Sequence, residues 1–241
     1  MRLHGGAVII LKIKLANKLY IISTPIGNLK DITFRAIEIL KEVNFVACED
    51  TRVTSFLLNH YDIKKEMVSL NAVNEISKID FVLSRILKGE SCALVSDAGT
   101  PGISDPGTRL ISSAIKKDIK IEPVPGVTAA ITALSISGLP TDSFLFEGFL
   151  PLKKGRQKKL HQLALEDRTI ILYESTYRIE KLLNELSEIM PERFVVVCRE
   201  LTKKFEEAWR GTSVNLKNEL SNKITKGEFV VLLAPKNWVE R

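Results

Sequence analysis

The chain has 241 residues, of which 45% are hydrophobic and 27% are charged. This length and balance are typical of a folded globular protein and exclude an intrinsically disordered one. The formal net charge of +6 favours an anionic partner, such as RNA or a phosphate-bearing substrate, because cationic side chains neutralise phosphates and release their counterions.

Residues 1–17 are predicted to form a short extension that precedes the fold. Their apolar stretch, Ala7–Leu11, is followed by Lys12 and Lys14 and by no small-residue cleavage site, so a signal peptide is not expected. No apolar run approaches the roughly 20 residues that a membrane-spanning helix needs. We therefore expect a cytoplasmic protein without a membrane partner.

Short apolar runs and segments of helical periodicity alternate along the rest of the chain. The runs are predicted to be buried strands, and in chain order they are Leu19–Ser23, Phe45–Cys48, Cys92–Ser96, Ile119–Val124, Phe144–Gly148, Thr169–Tyr173, Phe194–Cys198 and Phe229–Ala234. The predicted helices are Asp31–Val43, with Asp31 as its N-cap, Glu75–Leu87, Thr108–Lys116 and Arg178–Ile189. This alternation predicts an α/β fold with mostly parallel sheet.

Roughly ten strands are many for one open sheet, so two consecutive α/β domains are predicted. The boundary is placed near Glu122–Gly126, where two prolines and a glycine follow a strand. The N-terminal domain then covers residues 18–124 and the C-terminal domain residues 125–241.

The cysteines and histidines indicate neither a disulfide framework nor a metal site. Each of the three cysteines lies inside an apolar run; they are Cys48, Cys92 and Cys198. Buried thiols in a reducing cytosol are the expected state. The histidines have no ligand spacing with one another or with cysteine.

Three loops at predicted strand ends are candidates for ligand binding. The first, TPIGNL at 24–29, is neither a dinucleotide fingerprint nor a Walker A loop, and a plain strand-to-helix turn explains it equally well. SDAGTPGISDPG at 96–107 is longer and richer in Gly and Pro than a connection requires, which favours ligand binding over a purely structural loop. The helix start after PVPG at 123–126 offers free N–H groups, or simply close packing.

Charged residues mark further candidates. In EDTR at 49–52, the carboxylates and Arg52 suit either a helix N-cap or the orientation of a hydroxyl and a phosphate. The run PLKKGRQKK at 151–159 and the group RELTKK at 199–204 suit either solvated surfaces or contacts to phosphates.

Seven blocks, in this order, resemble the tetrapyrrole methylase superfamily, the class III methyltransferases. They are TPIGNL at 24–29, EDTR at 49–52, SDAGTPGISDPG at 96–107, SGLPTD at 137–142, FEGFLP at 146–151, YES at 173–175 and RELTK at 199–203. Within this superfamily the blocks are similar to those of the members that methylate the ribose 2′-hydroxyl of a cytidine in the decoding region of 16S rRNA.

The resemblance implies a two-domain enzyme, usually a homodimer, that binds S-adenosylmethionine in the interdomain cleft and acts on 16S rRNA in the small ribosomal subunit. The cofactor-binding residues that it implies are Pro25, Ser96, Asp97, Gly99, Ile103, Ser104, Thr128, Ala129 and Tyr173. A carboxylate near the hydroxyl would orient it or accept its proton, and the candidates are, in order, Asp50, Glu49 and Asp105. Phosphates would be held by Arg52, Lys153, Lys154, Arg156, Arg199 and Lys203; no metal is implied.

The chain departs from the family pattern where the family usually has histidines. Asn71, Val73 and Tyr177 stand at those positions. Either these histidines are not indispensable proton carriers, or this chain performs that step differently. Two alternatives stay open: another methylase of the superfamily, with a tetrapyrrole or translation-factor substrate, and a non-catalytic RNA-binding protein of ribosome assembly. The lack of a Walker loop disfavours a nucleotide hydrolase.

Overall fold

A computed structural model describes residues 17–70 and 75–239, and it contains two five-stranded sheets built from consecutive parts of the chain. The strands of the first sheet fall within residues 18–124, and those of the second within residues 144–233. The predicted α/β architecture with two sheets is therefore confirmed. The division of the chain at residue 124 into two domains stays a prediction.

The first sheet is entirely parallel. Its spatial order is β3-β2-β4-β1-β5, and its strands are β1 (Lys18–Ile22), β2 (Phe45–Cys48), β3 (Glu66–Ser69), β4 (Cys92–Val95) and β5 (Lys120–Val124). Helices α1 (Phe34–Glu42) and α2 (Thr51–His60) pack on one face, and α3 (Glu75–Leu87) and α4 (Thr108–Ile115) on the other. Burial on both faces explains the unbroken apolar runs in these strands.

The second sheet is mixed, with spatial order β6-β7-β10-β8-β9. Its strands are β6 (Phe144–Phe149), β7 (Thr169–Ser175), β8 (Phe194–Arg199), β9 (Glu207–Thr212) and β10 (Glu228–Leu233). Only β6 and β7 are parallel, so the expectation of mostly parallel sheet is wrong here. The loop between β8 and β9 is too short for a crossover, and it forces an antiparallel pair.

Four helices cover this mixed sheet. One face carries α6 (Arg156–Ala164), α7 (Ile179–Ile189) and α8 (Ser213–Asn218), whose leucines pack against β7 and β8. The other face carries α5 (Ala129–Ser137), together with Ile26 from the first half of the chain and Leu201. The two halves of the molecule therefore share one apolar cluster.

The start of the first helix differs from its prediction. Asn28, not Asp31, caps a short 3-10 turn at Leu29–Asp31, and α1 begins only at Phe34. The α1 N-cap is Thr33, whose side-chain oxygen accepts the Ala36 N–H at 3.1 Å. Asp31 is therefore not the cap, because the extended backbone at Ile32 interrupts the helix.

The three cysteines are buried and unpaired in β2, β4 and β8, as the apolar runs predicted. None of the helices within residues 17–70 and 75–239 combines the length and the apolar character needed to cross a bilayer.

Candidate active site

Three of the loops meet at the carboxyl edge of the parallel sheet. Strands β1 and β2 both pair with β4 in parallel register, so the residues that follow these strands emerge side by side. The loops that follow β1 and β4 are joined directly by two hydrogen bonds. The Thr24 N–H donates to the Gly99 carbonyl at 2.8 Å, and the Gly99 N–H donates to the Thr24 carbonyl at 3.1 Å. Ligands usually bind at this edge of an open α/β sheet.

A cavity of about 370 Å³ lies between this edge and the second sheet, which is within the usual size range of small-molecule sites. The first half of the chain contributes Ile26, Ala98, Gly99, Thr100, Ile103, Ser104 and Asp105 to its wall. The second half contributes Thr128, Ala129, Phe149, Tyr173, Glu174, Ser175, Cys198, Leu201, Glu228, Phe229 and Val230.

Six of the nine residues predicted to bind the cofactor line this cavity; they are Gly99, Ile103, Ser104, Thr128, Ala129 and Tyr173. The structure does not place Pro25, Ser96 or Asp97 on the wall. Ser96 is buried, and its hydroxyl lies 3.4 Å from the Gly99 carbonyl oxygen. The Asp97 carboxylate accepts the Asp50 N–H at 3.0 Å. These side chains therefore hold the loops that form the wall.

Tyr173 connects the second sheet to the start of α5. Its hydroxyl oxygen accepts the Ala130 N–H at 3.2 Å, and its ring has edge contacts with Phe146 and Phe149. Burial raises the pKa of Tyr173, so the phenol stays neutral near pH 7. This part of the wall offers an aromatic surface and the backbone of a helix start to a flat ligand.

Asp105 is the only predicted catalytic carboxylate whose residue lines the cavity. Burial raises its pKa to about 6, and the neighbouring charge of Asp97 contributes to the rise. Burial and the charge of Asp97 also raise the pKa of Glu49. A carboxylate with a raised pKa is a stronger proton acceptor once it is ionised.

Asp50 is the first of the three predicted candidates for the base, and its surroundings disfavour that role. Its carboxylate caps α2 by accepting the Arg52 N–H at 2.8 Å, and it is paired with the Arg52 guanidinium. The hydrogen bonds from Arg52 lower the pKa of Asp50 to about 2. A carboxylate held in this way is a weak base, and it does not face the cavity.

Two of the predicted phosphate-binding residues are buried, which argues against a contact with RNA. Arg156 is 3% exposed and lies 2.8 Å from Glu185 and 3.6 Å from Glu174. Arg199 is 5% exposed and donates to the Lys226 and Phe205 carbonyls. Glu185 and Glu174 compensate the charge of Arg156, and Glu207, 3.2 Å from the Arg199 guanidinium, compensates that of Arg199.

The other predicted phosphate-binding residues are accessible to different degrees. Lys153 and Lys154 are exposed in the loop before α6. Arg52 is 88% exposed, although Asp50 partly neutralises it. Lys203 is bound to Glu200 and Glu228, both at 2.9 Å, so it contributes less free charge than the sequence suggests.

Several wall residues had no part in the predicted site. Phe149 and Leu201 lie within the recognised blocks FEGFLP and RELTK, so those blocks carried a signal. Residues Glu228–Val230 form the start of an ordinary apolar strand, and nothing in their sequence indicated a role in the site. Cys198 also lines the wall; burial raises its pKa to about 11, so it stays a thiol and is no nucleophile.

The positions that depart from the family pattern lie apart from the cavity wall where they are described. Tyr177 is 94% exposed, just after the end of β7. Asn71 and Val73 fall outside the described residues. What the loss of the family histidines at these three positions means for proton transfer therefore stays a prediction.

Residues 18–217 match the family described as Tetrapyrrole (Corrin/Porphyrin) Methylases. Among curated proteins, ribosomal RNA small subunit methyltransferase I of Halalkalibacterium halodurans is 47% identical over 89% of this chain and 75% of its own length. The protein of the same name from Hydrogenobaculum is 49% identical, over 91% and 96%.

The fold is also similar to that of solved structures. Uroporphyrin-III C-methyl transferase from Thermus thermophilus, complexed with S-adenosyl homocysteine, superposes with a TM-score of 0.62 and 18% identity. The superposition covers 89% of this chain and 96% of the Thermus chain.

Proposed function

Because this chain belongs to the tetrapyrrole methylase family, we propose that it transfers a methyl group to a ribose 2′-hydroxyl of a cytidine in the decoding region of 16S rRNA. The chain is an S-adenosylmethionine-dependent methyltransferase. The ribosomal substrate is proposed from the names of relatives that are 46–49% identical over about nine tenths of the chain. The sugar atom and the nucleotide are proposed from the resemblance of the sequence blocks.

One observation carries the proposal at the level of geometry. Blocks as distant in sequence as those that contain Ile26 and Leu201 converge on a cavity of about 370 Å³ between the two sheets. Its wall combines small residues, aromatic rings and carboxylates, which suits a ligand with a flat base and a polar amino-acid end. The residues present therefore fit S-adenosylmethionine.

We propose that six wall residues bind this cofactor: Gly99, Ile103, Ser104, Thr128, Ala129 and Tyr173. When it is bound, the cofactor supplies a methyl group that is already activated on a positively charged sulfur. The remaining task of the protein is to align the accepting hydroxyl with that methyl group and to keep water out.

Asp105 is proposed to orient the ribose hydroxyl and to accept its proton. It is half-buried at the cavity wall, and its raised pKa makes it a better acceptor than an ordinary carboxylate. Asp97 is proposed to act as a positioning residue through the Asp50 N–H that it binds. This interaction fixes the loop after β4 relative to the start of α2.

Lys153 and Lys154 are proposed to attract the phosphates of the RNA, since both are exposed beside the cavity-lining end of β6. Non-specific attraction of this kind weakens as salt rises. A ribosomal substrate further implies that the enzyme works in the cytoplasm. A homodimer is proposed from the family resemblance.

The test is methyl transfer from labelled S-adenosylmethionine to small ribosomal subunits that lack the modification. We expect about one methyl group per subunit, mapped by mass spectrometry to the ribose of a decoding-region cytidine, and no transfer to fully modified subunits. Transfer to a free tetrapyrrole but not to the subunit would overturn the substrate. Absence of any transfer, with the fold intact, would favour the non-catalytic alternative.

A further inference from the structure

Strand β6 contains a bulge at Glu147. Phe146 pairs with Ile171 of β7, and Gly148 pairs with the next residue, Leu172, so Glu147 is an extra residue. In a regular strand, two side chains three positions apart point to opposite faces of the sheet. The extra residue cancels this alternation, and it brings Phe149 to the same face as Phe146.

The bulge directs Phe149 towards the cofactor cavity. The rings of Phe146 and Phe149 lie 5.1 Å and 5.6 Å from the ring of Tyr173. Gly148 has a φ of +68°, and a β-carbon there would lie 2.7 Å from the Ser104 hydroxyl oxygen. The positive φ and this close approach favour glycine where the loop at 96–107 crosses the strand, and Phe149 stands beside the crossing at the wall.

Phe149 is held at the cavity without being covered. Half of its surface, 51%, is exposed, and burial of a phenylalanine is normally favourable. The Arg178 guanidinium lies 5.7 Å from the ring centroid. Arg178 is itself fixed by the Glu174 carboxylate at 2.7 Å and the Ser175 hydroxyl at 3.2 Å, so the ring is supported and the rest of it is open to a ligand.

We propose that Phe149 is a stacking platform for the base of the nucleotide that receives the methyl group. The inference rests on the proposed function and adds to it the residue that recognises the base. Exposed aromatic rings next to cationic side chains are the usual means of binding unstacked bases of single-stranded RNA. The exposed Lys153 and Lys154 supply the positive charge for the flanking phosphates.

A stacked base would place its attached ribose at the mouth of the cavity, whose wall carries Asp105. The competing assignment is that Phe149 stacks on the adenine of the cofactor. In that case, loss of the ring would weaken cofactor binding and leave RNA affinity unchanged. The two assignments therefore differ in which of the two ligands is lost.

The test compares Phe149→Leu, which keeps apolar bulk, with Phe149→Trp, which keeps an aromatic face. For Phe149→Leu we expect kcat/KM on unmodified small subunits to fall about tenfold or more, with S-adenosylhomocysteine affinity by calorimetry within about twofold of wild type. Phe149→Trp should retain most of the activity. Phe34→Leu, at an 88% exposed position on α1, is the matched control and should change neither quantity.

A binding readout separates stacking from a merely structural role. With S-adenosylhomocysteine present, a short cytidine-containing single-stranded oligoribonucleotide should quench the fluorescence of Phe149→Trp beyond the response of the wild type. Absence of the additional quenching overturns the platform, as does a Phe149→Leu variant with unchanged kcat/KM or with strongly reduced S-adenosylhomocysteine affinity. Failure of the wild type itself to methylate subunits overturns the proposed function together with this inference.

Discussion

At the scale of single residues, the cavity carboxylate shows how environment selects one group among several. Asp50, Glu49 and Asp105 all lie at the edge of the parallel sheet, but Arg52 lowers the pKa of Asp50 to about 2, whereas burial raises that of Asp105 to about 6. Proton acceptance is most effective for a group whose pKa lies close to the working pH. The chemistry therefore depends on the surroundings of each carboxylate and not on its residue type.

This difference predicts the pH dependence of methyl transfer. As the pH falls through about 6, Asp105 becomes protonated and can no longer accept the hydroxyl proton, so kcat/KM should rise with pH, with its midpoint near pH 6, and then level off. Asp105→Asn should lower the plateau on the order of 100-fold and remove the inflection. Glu49→Gln, which changes a carboxyl group outside the cavity wall, should keep the inflection. A wild-type profile without this step, with S-adenosylhomocysteine still bound, would exclude Asp105 as the base.

Arg156 shows that a charged residue in a basic segment of the sequence need not lie at the surface. It belongs to the most basic run of the chain, yet it is buried against Glu185 and Glu174. Removing one partner of a buried ion group leaves an uncompensated charge and is strongly destabilising. Replacement of Arg156 would therefore test folding and not RNA binding.

At the scale of elements, two loops from opposite halves of the molecule are in close contact beside the cavity. The Asn28 N–H donates to the Thr202 hydroxyl at 3.1 Å. A β-carbon at Gly27 would lie 2.9 Å from that hydroxyl and 3.0 Å from the Leu201 carbonyl oxygen. The two loops approach each other so closely that a residue without a side chain is needed at Gly27. The residues beside this contact, Ile26 and Leu201, both line the cavity.

Gly27→Ala is expected to separate the two loops and to weaken the cofactor site. Overpacking of this kind costs roughly 1–3 kcal/mol of stability. S-adenosylhomocysteine affinity should fall about tenfold for each 1.4 kcal/mol of this strain that binding has to restore by bringing the loops together. Calorimetry measures this affinity.

The control for this substitution is Gly138→Ala. Gly138 has a φ of +76° and no atom within 4 Å of an added β-carbon, so its replacement should lower the melting temperature through backbone strain and leave the affinity unchanged. Equal affinity losses in the two variants would assign the effect to general destabilisation, and wild-type affinity in Gly27→Ala would contradict the role of the contact.

At the scale of the whole molecule, the cavity depends on both sheets at once. Its wall takes residues from both halves of the chain, and Ile26 from the first half is packed in the core of the second. A ligand that binds in this cavity therefore binds the native state and not the unfolded chain. Its binding free energy therefore adds to the free energy of unfolding.

S-adenosylhomocysteine should consequently raise the melting temperature. At a concentration 100 times its Kd, the added free energy is about 2.7 kcal/mol, which corresponds to roughly 5–10 °C for a chain of this size. Differential scanning calorimetry measures the shift, with adenosine triphosphate as the control that should produce none. No shift at saturating S-adenosylhomocysteine would contradict the assignment of the cavity.

Much of the fold follows from local patterns. The apolar runs predicted eight of the ten strands, and helical spacing predicted α3 and α7 to within a residue, because a buried strand or helix face must be apolar wherever it packs. Strands β3 and β9 were missed, since the exposed residues of Glu66–Ser69 and Glu207–Thr212 dilute the apolar signal. The mixed order of the second sheet was also missed, since pairing is decided between segments distant in sequence.

The sequence by itself determined the two-sheet α/β architecture and the family, and its blocks predicted six wall residues of the cavity. The tertiary structure decided which charges are buried, as for Arg156 and Arg199, which carboxylate faces the cavity, and how a bulge turns Phe149 towards it. The physical reason is that burial, pKa and side-chain direction depend on neighbours that lie far away in sequence. Residue type and spacing record only the local part of that environment.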